Sequence, residues 1–142
     1  MVRFKNRCLI LYVKAKDGRA HESLGPALPA AIRSSILQHQ GEAGLEAASP
    51  SLSVLHYNHL AGVAVVRIAR SEHAKVLSSC LKMTLVDYKG VTVKLLKLTG
   101  AFRVAKTAAA EHIAKLMAPL KLGPDQQATA AMLQEKLAAL YI

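Results

Sequence analysis

Cations recur at every second position, Arg3, Lys5 and Arg7, ahead of the apolar run Cys8–Val13, and that period of two predicts a first strand ending near Val13. Arg3, Lys5 and Arg7 share one side of it with Leu9 and Leu11. Val2, Phe4, Cys8, Ile10 and Tyr12 take the other side, interrupted by Asn6. Asp17-Gly18 then offers a turn within a basic, polar connection. From Pro26 the period lengthens: Leu28, Ala31, Ile32, Ser35 and Ile36 recur at helical spacing as far as about Gln40. Ser23 is available as a cap, and Pro29 lies in the first turn, where its missing amide costs little. Gly41–Pro50 reads as a small-residue, turn-prone linker.

Leu52–Asn58 and Gly62–Ala69 predict two more strands, joined by a tight connection between Asn58 and Gly62. Ser71-Glu72 opens a second helix to about Leu81, with Ala74, Leu77 and Leu81 as its buried stripe. Val86–Gly90 turns the chain into a fourth strand, Val91–Leu98. Two helices follow, Ala101–Met117 and Asp125–Leu140, separated near Pro119 and by Gly123-Pro124. The last of them has wide apolar coverage from Ala128, Ala131, Leu133, Leu137, Ala138 and Leu140.

This order predicts a two-layer α/β (α+β) protein of the ferredoxin-like, RNA-recognition-like βαββαβ type, with an antiparallel sheet and two additional C-terminal helices. Both crossover helices are expected on one side of that sheet. The 142 residues read as one domain, with a core over 1–117 and a helical extension over 118–142. The extension must cover leftover sheet, dock on an edge or bind a neighbour.

Charge narrows the partner. Nineteen Lys or Arg against nine Asp or Glu give a formal charge of +10. Such an excess argues for an anionic partner, nucleic acid first and an anionic membrane surface second. Six cations and one acid lie between Arg3 and Arg19, and the same ratio recurs between Lys82 and Lys106. No stretch approaches the length of a membrane span, and the apolar run after Arg7 is too short for a secretory signal. Cys8 and Cys80, both in apolar surroundings, read as buried thiols of a reducing compartment, with a disulfide between them left open.

Catalytic and metal chemistry find little support. The six histidines form no HExxH motif, and CxxC, paired-acid and glycine-rich phosphate motifs are missing from the sequence. His56 and His59 fall on opposite sides of a regular strand, while His39, His73 and His112 read as helix-surface groups. No catalytic or metal-binding residue is therefore assigned. The base-stacking aromatics of an ordinary RNA-recognition domain are also missing, because the third strand offers Val63, Val65 and Arg67 instead. Phosphate contacts by cations and helix starts are the alternative. Arg67, within an apolar run, must be paired, reach the sheet's rim or meet an external anion. Thr99 and Gly100 precede a helix that carries Arg103 and Lys106 three residues apart on one face. Charge protecting an edge strand and an ordinary helix cap with solvated cations account for the same residues without RNA.

The opening MVRFKNR, the Tyr57-Asn58…Gly62 connection, the Val63–Arg67 strand closed by Arg70, and Thr99-Gly100 before Arg103 and Lys106 together resemble the POP-five protein subunit family of ribonuclease P and RNase MRP. The resemblance covers roughly Met1–Met117. It departs from the family at Cys8, where an aromatic often stands, and in the alanine-rich stretches Ala101–Ala110 and Ala128–Ala139. It implies a non-catalytic subunit that stabilises a catalytic RNA, which removes the 5′ leader from precursor tRNA with Mg2+ held at the RNA's own active site. Implied partners are the ribonuclease P/MRP RNA, a TIM-barrel-like protein subunit of about thirty kilodaltons, other particle subunits and precursor tRNA as the complex's substrate. The expected compartments are nucleus and nucleolus. Carried onto this chain, the expected RNA-binding residues are Arg3, Lys5, Arg7, Arg67, Arg70, Gly100, Arg103 and Lys106. Phe4, Val63 and Val65, on an open sheet face, are expected at a protein interface. Two rivals remain: a basic α/β protein-interaction module without direct RNA contact, and a small RNA-modifying enzyme whose catalytic group the sequence does not display.

Overall fold

The computed structural model describes residues 5–120 and 122–140. Along them run β1 (Asn6–Ala15), α1 (Leu24–Ala48), β2 (Ser53–Asn58), β3 (Val63–Ala69), α2 (His73–Leu81), β4 (Leu85–Val86), β5 (Lys89–Thr99), α3 (Phe102–Met117) and α4 (Pro124–Ala139). The strands form one curled sheet in the order β2-β3-β1-β5-β4, every neighbouring pair antiparallel. β1 is central because it is greasy on both sides. Leu9, Ile10 and Leu11 are all 0% exposed.

The alternation along β1 divides the core. Leu9, Leu11 and Val13 meet Leu24, Leu28, Ile32 and Ile36 of α1 and Val76 and Cys80 of α2 on one face. Cys8 and Ile10, with Val63 and Val65 of β3, lie under Ala105, Ala109 and Ile113 of α3 and Leu137 of α4 on the other. Both crossover helices thus share one side, as the chain order predicts, and the two extra helices cover the opposite side. Cys8 and Cys80 are free thiols on opposite faces, which rules out a disulfide between them.

Several expectations are corrected. The face holding Val63 and Val65 is not open, since both are 0% exposed beneath α3. The supposed linker after Gln40 is helical: Glu42–Ala48 is rich in helix formers, and Leu45 and Ala48 reach the core. Gly41 interrupts it at φ 76 and ψ −179, a conformation open essentially to glycine alone. In α2 the buried residues are Val76, Ser79 and Cys80, not Ala74 and Leu81, which are exposed; Leu77 is half-buried. The reason is a small-residue contact, in which the Ser35 hydroxyl donates to Ser79 O at 2.6 Å and draws α2 against α1. The turn before β5 also adds a strand, β4, through a two-residue hairpin loop with Asp87 (φ 52) and Tyr88 (φ 61) both left-handed. Of α4's apolar positions, only Leu133 and Leu137 are buried.

The Asn58–Gly62 connection forms as expected. The Asn58 side-chain oxygen accepts from the Leu60 and Ala61 amides at 3.1 Å each, and Gly62 O accepts from Val13 N–H at 2.7 Å. Tyr57 ties the same corner to β1 by donating its hydroxyl to Val13 O at 2.8 Å.

Candidate nucleic-acid interface

One end of the sheet is built where β1 begins, β3 and β5 end, and α3 starts. Register brings its cations together. Asn6 faces Ala69 and Arg7 faces Ile68, and one step outward the Arg70 amide donates to Lys5 O at 2.7 Å. One step inward, Cys8 stands between Arg67 and Thr99 on the face that α3 covers. Thr99 and Gly100 lead directly into α3, whose first turn carries exposed Arg103 and no acid. The structure therefore gathers Lys5, Arg7, Arg67, Arg70, Gly100 and Arg103 from segments far apart in sequence.

Neighbouring groups aim these charges. A Cβ at Gly100 would lie 2.7 Å from Nη1 and 3.3 Å from Cζ of Arg7, so the missing side chain is the seat of that guanidinium. Arg7 Nη1 also donates to Asn6 O at 3.2 Å. Thr99 Oγ1 accepts from the Ala101 amide at 3.2 Å, and α3 has no side-chain cap beyond it. Neither of the two ion pairs among the described residues, His21–Asp17 and Lys89–Asp87, involves this group. Burial holds the Cys8 thiol above its usual pKa, although the charge of Arg67 pulls the other way. A thiol so held is a poor nucleophile.

Lys106 differs from its expected place. Its Nζ donates to Ala138 O and Leu140 O, both at 2.6 Å, and lies 5.8 Å from the centre of the Phe102 ring. Two of its three donors thus hold the end of α4 over the sheet. Arg3 and Phe4 lie outside the described residues. His73, which the sequence leaves as a surface group, braces the turn from β3 into α2: its Nδ1 lies 2.6 Å from the backbone oxygen of Arg70. Only the fold, bringing β3 round into α2, discloses that role.

Among the described residues, no group of three His, Cys, Asp or Glu side chains could hold one metal ion. A hard divalent cation wants several oxygen ligands, and this end supplies guanidinium and ammonium groups instead.

A sheet whose central strands β1 and β3 are covered on both faces by the chain's own helices, with cations gathered at one end, defines a small basic α/β protein that presents charge. The chain belongs to the Rpp14/Pop5 family, whose model matches residues 7–110. That match begins at Arg7, so it does not rest on the opening MVRFKN. Over 121 residues the chain is 32% identical to the probable ribonuclease P/MRP protein subunit POP5 of Arabidopsis thaliana, covering 77% of each. A chain in the cryo-EM structure of yeast ribonuclease MRP shares the fold at a TM-score of 0.56, over 97% of this chain and 92% of that one, with 14% identity.

Proposed function

We propose that this protein is a non-catalytic RNA-binding subunit of ribonuclease P, and of RNase MRP, that stabilises the catalytic RNA for 5′ processing of precursor tRNA. The observation that carries the reading is the convergence of Lys5, Arg7, Arg67, Arg70 and Arg103 on one sheet end without an acidic partner in either described ion pair. Cations so grouped neutralise phosphates of a folded RNA, and the α3 amides beside them add to that field. Strand order supports the ferredoxin-like, RNA-recognition-like reading of the sheet. RNA contact then runs along the sheet's end, because the face that ordinarily stacks bases is under α3.

In this reading Mg2+ stays with the RNA, and the protein supplies no ligand to it. A TIM-barrel-like subunit and other particle proteins are its neighbours, and nucleus and nucleolus its compartments. Binding of the purified chain to the particle RNA, titrated across a salt series, tests it. Changing Arg7, Arg67, Arg70 and Arg103 singly to Gln should weaken binding, and each cation that truly meets a phosphate should lower the salt slope by about one when replaced. Affinity indifferent to salt, or unchanged in all four variants, refutes direct RNA contact and returns the protein to a basic interaction module.

A further inference from the structure

β5 runs from Lys89 to Thr99, but β4 pairs with it only at Lys89 and Gly90. The Val91 amide still finds Thr84 O at 2.9 Å. From Thr92 to Thr99 no described strand lies on its outer side, a free edge of about 25 Å at strand rise. Soluble proteins usually blunt such an edge, because its open amides and carbonyls invite another strand.

This edge is charged on one face and apolar on the other. Lys94 faces Tyr12 and Lys97 faces Ile10, so both lie on the α3 side, and both are exposed. On the α2 side Leu98 lines a groove with Ala74, Leu77 and Leu81. Leu81, Leu95 and Leu98 are 44%, 37% and 40% exposed. Of the nine large apolar side chains exposed among the described residues, five lie on this edge, its hairpin or the adjoining end of α2: Leu81, Leu85, Tyr88, Leu95 and Leu98. Lysines alone would serve to repel strands, yet an exposed leucine groove beside them attracts one.

Charge selects the occupant. A second copy pairing through its own β5 would bring four lysines and no acid to the seam, because Thr92–Thr99 contains none. We propose that the outer edge of β5 takes an extended segment of a partner protein as an added strand, its apolar residues facing the α2 groove and its alternate acidic residues facing Lys94 and Lys97. The inference does not rest on RNA binding, which uses the sheet's end.

A photo-cross-linking experiment on the assembled native particle tests it, with benzoyl-phenylalanine in place of Leu98 in the full chain. The expected product joins this position to a protein segment of alternating apolar and acidic residues. In Lys94→Glu/Lys97→Glu its yield should fall about tenfold, as two favourable cross-strand charge pairs become unfavourable. Thermal midpoint of the free chain serves as the folding control, and Lys94→Gln/Lys97→Gln replaces the reversal if that variant misfolds. The outward-pointing amides of residues 92–99, which an added strand would make slow to exchange in the wild-type particle, should exchange fast with either pair of substitutions, while those bonded to β1 stay slow. A cross-link to nucleotide, to a second copy of this chain or to nothing overturns the proposal. So does a yield indifferent to the lysine changes.

Discussion

On one face of the sheet, α1 and α2 press Leu24, Leu28, Ile32, Ile36 and Val76 onto Leu9, Leu11, Val13, Val66 and Ile68. On the other, α3 lays Ala105 and Ala109 with Ile113 over Cys8, Ile10, Val63 and Val65, and α4 adds Leu137. The first cover is branched and bulky, so each residue removes much apolar area from water. Alanine removes little, but it lets a helix sit close. Polar groups add to the contrast: beneath the second cover, His56 Nε2 is buried without a hydrogen-bond partner among the described residues. Folding energy is therefore concentrated on the α1/α2 side, and α4 is the least anchored element of the other.

That contrast can be broken most forcefully at Ile32, which is 0% exposed. Ile32→Ala should cost about 4 kcal/mol in urea unfolding, whereas Leu137→Ala, at a site free to relax around α4, should cost about 2 kcal/mol. Equal costs would show that the faces contribute alike. Lys106→Met comes next. It removes both donors to the end of α4 and should cost about 1 kcal/mol, with faster amide exchange near Leu137 and none of the change at Ile32.

Acid should probe the same face more gently. Burial, reinforced by the charge of Lys136, holds the His56 imidazole below its usual pKa of 6.5. The unfolded chain then takes up a proton before the folded one does. Stability is thus fully present above about pH 6.5 and declines as pH falls through the lower folded value. His56→Gln should flatten that part of the pH–stability curve, as read by denaturant midpoints from pH 7.5 to 5; an unchanged slope would remove His56 from the account.

Much of the fold was legible in the sequence because period-two patterning and burial agree. Leu9 and Leu11 separate from Cys8 and Ile10 along β1 as their spacing requires. Patterning was silent where two faces were equally apolar. Nothing in Ala74, Leu77 and Leu81 sets them below Val76, Cys80 and Met83; the deciding contact is Ser35 with Ser79, two polar residues from different helices. Val63 and Val65 were expected on an open face because the pattern of β3 does not say that α3 returns to cover it. At the basic end, residue types were visible, while their assembly depended on register, such as Arg67 beside Cys8 and Lys5 beside Arg70. The task of Lys106 was invisible because its acceptors are backbone carbonyls more than thirty residues away.

The guanidinium of Arg7 rests where Gly100 has only hydrogen. A single methyl added there would swing a charge borne by β1 without disturbing either strand's ladder, since what must yield is the tip of a flexible side chain. The direction of that cation is thus governed from a different segment of the chain, the hinge into α3, by an atom that is not there.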